Sequence, residues 1–344
     1  MPPWTLLPVT SVPDLLDEFV AIERLFRPLA ADAPEARGLR DDVAVLPGRP
    51  GHDLVLTTDA MIEGVHFLAD DPRDLVARKV LRSNLSDLAA KGSDPFAYLL
   101  SVSWSRRCSA ADRVAFAAGL AEDQERFGVR LFGGDTTSTP GPLTVTIMAL
   151  GWVPQGRTVS RSGAQPGDLV LVSGSIGDGW LGLQARLGNL NGLEPERVEA
   201  LIRRYRIPEP RTGLSRAVRD HASASADVSD GLIADLAHIA SASGVAAAVR
   251  LEAAPLSRAA RSWLGNRADP VLALSDLATG GDDYEIVCCA RPEHARALVR
   301  AGELAGAPFT IIGDVTAGSG VSVTYEGAPV VLNKTGWRHA GGAG

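Results

Sequence analysis

The sequence predicts an α/β or α+β protein organised as two domains. Strand-like runs alternate with runs of helical period along the whole chain, the pattern of layered α/β and α+β folds. A Pro-, Gly- and Ser-rich stretch at 154–167 (PQGRTVSRSGAQPG) interrupts that alternation near the middle. A length of 344 residues is enough for two cores of ordinary domain size. The expected domains are therefore 1–153 and 154–344.

Each element has its own local signal. Residues 13–27 space their apolar side chains as a helix does, and 53–58 (DLVLTT) read as a strand. Residues 72–91 open on Asp-Pro-Arg and continue at helical period, predicting one long helix. PFAYLLSVSW at 95–104 reads as a strand. The helix at 109–128 has a Ser cap and a Gly stop. Strands follow at 129–132 and 142–153. The second half restarts with DLVLVSG at 168–174, then helices around 178–188, 196–206 and 210–222. Residues 226–232 run from a short strand into a turn, and a helix at 233–244 ends on Gly. Further strands are expected at 284–290, 309–315 and 320–327, and the tail HAGGAG is expected to fray.

Composition excludes several classes of function. Hydrophobic residues make up 45% and charged residues 22%, an ordinary globular balance. No apolar run approaches the ~18 residues of a membrane span, and the N-terminus lacks the basic and apolar regions of a secretion signal. A net charge of −7 argues against a nucleic-acid partner. The three cysteines, Cys108, Cys288 and Cys289, suit reduced core thiols in a cytoplasm. Lys79, Lys91 and Lys334 are the lysines, so a lysine-centred phosphate site has few candidates.

The chemistry concentrates in acidic residues expected in turns: Asp41, Asp42, Asp59, Asp87, Asp135, Asp227, Asp230, Asp282 and Asp283. Carboxylates and hydroxyls are hard ligands that suit Mg²⁺, and Mg²⁺ on phosphates can replace missing lysines. Any one of these residues is adequately explained as a turn or cap residue, but the recurrence at strand ends is harder to explain that way. Gly133-Gly134-Asp135-Thr136-Thr137 is the sharpest local pattern. Its glycines allow close approach to a phosphate, and the same residues could also form a plain turn. Thr57-Thr58-Asp59 places three oxygen side chains in a row at an expected strand end. Asn84-Leu-Ser-Asp-Leu88 is echoed by Asp227-Val-Ser-Asp-Gly231. Ser173–Gly179 has the wrong spacing for a dinucleotide fingerprint, and no P-loop, protein-kinase, nucleophile-elbow or zinc-hydrolase pattern occurs.

Taken in order, these blocks resemble one family, thiamine-monophosphate kinase, of the aminoimidazole-ribotide-synthetase-like superfamily. The blocks are Asp41-Asp-Val-Ala-Val-Leu46, Thr57-Thr-Asp59, Glu63-Gly-Val-His-Phe67 and Asn84-Leu-Ser-Asp-Leu-Ala-Ala90. They continue with Gly133-Gly-Asp-Thr-Thr137, Arg161-Ser-Gly-Ala164, Pro208-Glu-Pro-Arg211, Asp227-Val-Ser-Asp-Gly-Leu232, Gly280-Gly-Asp-Asp-Tyr-Glu285 and Gly336-Trp337. The resemblance covers nearly the whole chain.

It implies transfer of the γ-phosphoryl group of ATP to thiamine monophosphate. It implies an N-terminal ATP- and Mg²⁺-binding domain whose sheet forms a barrel in a homodimer, followed by a C-terminal α/β domain. Several Mg²⁺ ions would be held at Asp42, Thr57, Thr58, Asp59, Asp87, Asp135, Asp227 and Asp230. Gly134, Asp135, Arg161 and Ser229 would contact ATP, and His66, Asp282 and Trp337 the thiamine moiety. No catalytic base is assigned for such a transfer, because the acceptor phosphate is already largely ionised near neutral pH. Two positions depart from the family pattern: Arg40 replaces Gly before the Asp pair, and Asp282 replaces Glu. The rival readings are another ATP-using enzyme of the same superfamily and a non-catalytic nucleotide-binding scaffold.

Overall fold

A computed structural model describes residues 17–337. The expected start of the first helix at 13–16, the N-terminal residues read for a secretion signal and the tail expected to fray at 339–344 lie outside the described residues. No helix among the described residues is long and apolar enough to cross a membrane. The chain forms two compact units. One comprises the described residues up to Arg49 with Thr57–Asn84 and Phe96–Leu150. The other comprises Pro50–Leu56, Leu85–Pro95 and the described residues from Gly151 onward.

The first described helical segment changes character as it runs. It starts as α1 (Glu18–Ala21), widens to a π turn at Ile22–Phe26 and tightens to a 3₁₀ turn at Arg27–Ala30. Pro28 has no N–H to give an α-helical ladder, so the α form cannot continue through it. A four-stranded sheet follows, ordered β1-β4-β2-β3, from β1 (His52–Ile62), β2 (Asp94–Ser105), β3 (Arg130–Thr139) and β4 (Thr144–Pro154). This sheet is open; among the described residues it does not close into a barrel.

Two long helices accompany it, α2 (Arg73–Ala90) and α3 (Ala110–Phe127). The α3 boundaries follow from its sequence. Ser109 and Asp112 form a reciprocal capping box, and Gly128 ends the helix in the left-handed region at φ 68°. α2 and α3 are joined by a buried ion pair in which Arg82 Nε donates to Asp123 Oδ2 at 2.6 Å.

The second unit is built on a seven-stranded mixed sheet, ordered β11-β10-β7-β9-β5-β8-β6. Its strands are β5 (Leu169–Ser173), β6 (Ala224–Asp227), β7 (Ala246–Arg250), β8 (Ile286–Ala290), β9 (Phe309–Thr316), β10 (Gly320–Tyr325) and β11 (Ala328–Pro329). Interior strand β5 pairs antiparallel with β8 and β9. Side chains alternate between the faces of a strand, and here both faces are covered. Val170, Val172, Val287 and Cys289 enter one core, while Leu171, Ile286, Cys288 and Ala290 enter the other. The adjacent cysteines therefore fill opposite cores as buried free thiols.

α7 (Leu232–Ser243) packs on the first of these cores and α10 (Pro292–Leu304) on the second. α4 (Asp178–Arg186), α5 (Pro195–Arg206), α8 (Arg258–Gly265) and α9 (Pro270–Ala278) enclose a third cluster around Leu181, Leu201 and Trp263. The helix expected from 210 begins instead with a 3₁₀ turn at Thr212–Leu214, which leads into α6 (Ser215–His221). Pro208–Arg211 lie before it as a connector.

Candidate functional site

The predicted site residues fall into two groups, one in each unit, and each group is described by itself. In the first unit Thr57, Thr58 and Asp59 do not end their strand, because β1 runs on to Ile62. Thr57 and Asp59 share one face and Thr58 takes the other, since strand side chains alternate. The Asp59 N–H donates to Asn84 Oδ1 at 3.1 Å. Asn84 is fully buried on α2, and its Nδ2 donates to the Val80 carbonyl at 2.9 Å. The Asn of the Asn-Leu-Ser-Asp block is thus an anchor for β1.

The Gly133–Thr137 block is not a turn but part of β3. The parallel register with β2 shifts between Tyr98 and Leu99, and Gly134 takes φ +152° opposite Leu100. A Cβ there would lie 1.7 Å from the Leu100 carbonyl oxygen, so only glycine fits. Thr136 is buried, and its Oγ1 accepts from Trp104 Nε1 at 2.9 Å. Gly134 and Asp135 are exposed. With Asp41 and Asp42 they border a cavity of about 990 Å³ whose other walls include Phe19 and Phe26.

Arg40 lies on the same rim, and its Nη2 is 3.4 Å from Glu23 Oε1. The Arg37 guanidinium, 2.5 Å from Asp41, holds that carboxyl below its usual value. His66 is half-buried, and its Nδ1 accepts the Ile62 N–H at 3.1 Å, which places the imidazole proton on Nε2. Buried Lys79 donates to the His66 carbonyl at 3.0 Å.

In the second unit Asp227 ends β6, Ser229 and Asp230 occupy the turn before α7, and Asp87 lies inside α2 and not in a turn. Lys91, just beyond α2, links these elements. Its Nζ donates to the Ser225 carbonyl at 2.5 Å, and its own carbonyl accepts the Val159 N–H at 3.1 Å. Burial first, then the charge of Arg161, pushes the Lys91 ammonium down to about 8, against the pull of Asp227, Asp87 and Asp235. Arg161 is exposed, and its carbonyl accepts from Ser243 Oγ at 3.2 Å. Trp337 is 52% exposed.

Asp282 is half-buried at φ +64°, and Tyr284 follows at φ +51°. Two neighbouring carboxylates hold this irregular loop. Asp283 is buried and accepts the N–H groups of Gly177 at 2.8 Å and Gly179 at 3.1 Å. Burial pushes its carboxyl well above the usual range, although those two bonds oppose the shift. Fully buried Glu285 accepts from Arg211 Nε at 2.6 Å, Arg204 Nη2 at 3.1 Å and Ser173 Oγ at 2.7 Å. The Arg of the Pro-Glu-Pro-Arg block is therefore the counter-ion of the Glu that closes the Gly-Gly-Asp-Asp-Tyr-Glu block. Sequence reasoning missed what Lys91 and Glu285 do, Lys91 in tying α2 to β6 and Glu285 in holding the Asp282 loop. The available signal was their position inside or beside the recurring blocks.

No three His, Cys, Asp or Glu side chains among the described residues are grouped closely enough to cage a metal ion. The predicted donors are hard oxygens, however. Mg²⁺ is ordinarily held by one or two carboxylates together with substrate phosphates and water, not by an all-protein cage. Hard-oxygen donors of this kind fit a Mg²⁺ ion held jointly with a phosphate-bearing ligand.

A four-stranded open sheet followed by a seven-stranded α/β unit defines an AIR synthase related protein. Residues 40–153 match the N-terminal domain of that family and residues 165–326 its C-terminal domain. Within this class the chain belongs to the thiamine-monophosphate kinase family. It is 52% identical to the thiamine-monophosphate kinase of Caulobacter vibrioides over 322 residues, covering 94% of this chain and 90% of that one. The crystal structure of thiamine-monophosphate kinase from Stenotrophomonas maltophilia K279a matches with a TM-score of 0.77 at 36% identity, covering 88% and 97% of the two chains. A solved AaThiL complexed with AMPPCP and TMP matches with a TM-score of 0.74 at 29% identity, covering 96% and 98%.

Proposed function

We propose that the protein transfers the γ-phosphoryl group of ATP directly to the phosphate of thiamine monophosphate, giving thiamine diphosphate. The observation that carries this reading is the match along 96% of the chain to a structure that holds AMPPCP and TMP. In this reading 1–153 is the ATP- and Mg²⁺-binding and dimerisation domain, and 154–344 the C-terminal α/β domain. Bound Mg²⁺ supplies charge neutralisation for the phosphoryl oxygens.

In the first unit Asp42, Asp59, Asp135 and the Thr57 and Thr58 oxygens would hold Mg²⁺, and the Gly134 backbone would lie against a phosphate. In the second unit Asp87, Asp227 and Asp230 would hold Mg²⁺, while Arg161 and Ser229 would contact ATP. His66, Asp282 and Trp337 would contact the thiamine moiety. His66 enters that role as a donor from Nε2, because Nδ1 already accepts the Ile62 N–H. The acceptor phosphate needs no general base, so positioning and charge carry the rate.

The reading includes a homodimer in the cytoplasm with no nucleic-acid or membrane partner. Its support is the open four-stranded sheet, the exposed Leu56 and Met148 on β1 and β4, and the acidic net charge. Light scattering at micromolar concentration is expected to give the mass of two chains; the mass of one would contradict the dimer. The activity is tested by incubating the protein with ATP, Mg²⁺ and thiamine monophosphate and measuring thiamine diphosphate. ATP consumption independent of thiamine monophosphate would point to another ATP-using enzyme of the class. Nucleotide binding without turnover would point to a scaffold.

A further inference from the structure

Asp235 has no role in the reading above, yet it organises the second group. It lies in the first turn of α7 and is 1% exposed. Its Oδ2 accepts three successive backbone N–H groups, from Ser229 at 3.0 Å, Asp230 at 3.1 Å and Gly231 at 3.1 Å. A helix N-cap ordinarily precedes its helix and satisfies the amides that follow it. Asp235 does the reverse: it reaches back from inside the helix and gathers the turn in front of it.

That turn is in turn the anchor for two other segments. The Val228 carbonyl accepts the Tyr284 N–H, the Ser229 carbonyl the Asp282 N–H and the Asp230 carbonyl the Trp337 N–H, each at 2.8 Å. Glycines mark where the backbones meet. A Cβ on Gly281 would lie 2.7 Å from the Ser229 carbonyl oxygen. A Cβ on Gly336 would lie 2.4 Å from Ala234 Cβ and 2.8 Å from the Asp230 carbonyl oxygen. The latch is made of main-chain atoms, so it does not draw on the Asp230, Asp282 or Trp337 side chains.

We propose that Asp235 is a positioning residue: by gathering the Ser229–Gly231 turn it fixes the main chain of Asp282 and Trp337, and so registers the acceptor-binding residues against the nucleotide-binding turn. This rests on the phosphoryl-transfer reading, which assigns Ser229 and Asp230 to the Mg²⁺ nucleotide and Asp282 and Trp337 to the acceptor. An in-line transfer loses rate steeply when its two substrates are misplaced by about 1 Å, so a shared rigid anchor has a direct kinetic consequence.

The test compares the full-length wild type with Asp235→Ala, Asp235→Asn and Gly336→Ala. Melting temperature, kcat, both KM values and the calorimetric affinity for thiamine monophosphate without ATP are measured. Asp235→Ala is expected to lower kcat about 100-fold, the scale of a misplaced reactant, and to weaken thiamine monophosphate about tenfold although the side chain is buried against main-chain N–H groups. Asp235→Asn keeps an oxygen that can accept all three N–H groups, and is expected to recover kcat to within about tenfold of the wild type. Gly336→Ala disturbs one of the three latch bonds, and is expected to weaken thiamine monophosphate about tenfold and to lower kcat by less than Asp235→Ala does.

Wild-type kcat and acceptor affinity in folded Asp235→Ala, with only a lower melting temperature, would overturn the proposal. Should Asp235→Ala not fold, Gly336→Ala decides: unchanged acceptor affinity overturns the latch and weakened affinity supports it. A wild type that forms no thiamine diphosphate would overturn the phosphoryl-transfer reading itself, a failure distinct from equal behaviour of variant and wild type.

Discussion

Asp59 and Asp135 stand on β1 and β3, strands whose ladders fix the backbone beneath them. Asp230 and Asp282 stand in a turn and a loop that no ladder holds. The second pair is instead surrounded by buried carboxylates that accept main-chain or guanidinium donors: Asp235, Asp283 and Glu285. A functional side chain on a strand borrows its rigidity from the sheet. One on an irregular loop needs dedicated buried charges to hold the loop, and those charges are costly to remove. Substitutions in the second unit should therefore damage stability and function together, whereas those in the first should separate them.

The largest expected effect is on Glu285. Its removal leaves Arg204 and Arg211 facing an uncompensated buried site. Glu285→Ala is expected to cost about 3–5 kcal/mol in urea denaturation. A cost below about 1 kcal/mol would mean that the loop is held by other means.

Asp135→Asn probes the opposite arrangement. Asp135 is exposed on a strand, so the change should leave stability within about 0.5 kcal/mol. Asn keeps the shape but loses the charge that a Mg²⁺ ligand supplies. Phosphoryl transfer is expected to fall at least 100-fold, about 2.7 kcal/mol of barrier. Near-normal turnover at saturating Mg²⁺ would remove Asp135 from the metal site.

A smaller effect distinguishes the groups through pH. Lys91 titrates at about 8 in the folded protein against 10.5 when free, so the unfolded chain binds more protons between those values. Its contribution to stability therefore rises with pH through that window and is flat below about 8. In metal-free buffer, the stability of the wild type relative to Lys91→Met should rise above pH 8 by at most about 1.4 kcal/mol per pH unit. A difference independent of pH would show that the ammonium is not depressed.

These contrasts also explain what could be read in the sequence. The α3 boundaries were legible because Ser109, Asp112 and Gly128 act on their own helix ends. β5 and β8 were legible because strands covered on both faces must be apolar throughout. Gly133–Thr137 was expected in a turn because two glycines suit one; what requires Gly134 is the close approach of Leu100, which is distant in sequence. Asp87 was expected in a turn, yet the helical period that predicts 72–91 already placed it in a helix. Arg82–Asp123 and Arg211–Glu285 are separated by 41 and 74 residues, so neither pairing leaves a local trace. Arg40 was legible as a departure, but its approach to Glu23 was not.

The smallest expected effect falls on Trp337, where the second unit behaves most like the first. Its backbone is latched to Asp230, but its side chain is 52% exposed, so truncation should cost little stability. In the proposed reading this exposed indole meets the thiazolium and pyrimidine rings of thiamine monophosphate. Stacking and cation–π contact would contribute on the order of 1–2 kcal/mol. Trp337→Ala is then expected to raise the KM for thiamine monophosphate about tenfold, since 1.4 kcal/mol is a factor of ten, and to leave that for ATP nearly unchanged. Equal weakening of both substrates with a lowered melting temperature would mean that the ring holds the tail against the Asp230 turn. In that case even this exposed side chain would belong to the scaffold of the loop and not to the substrate.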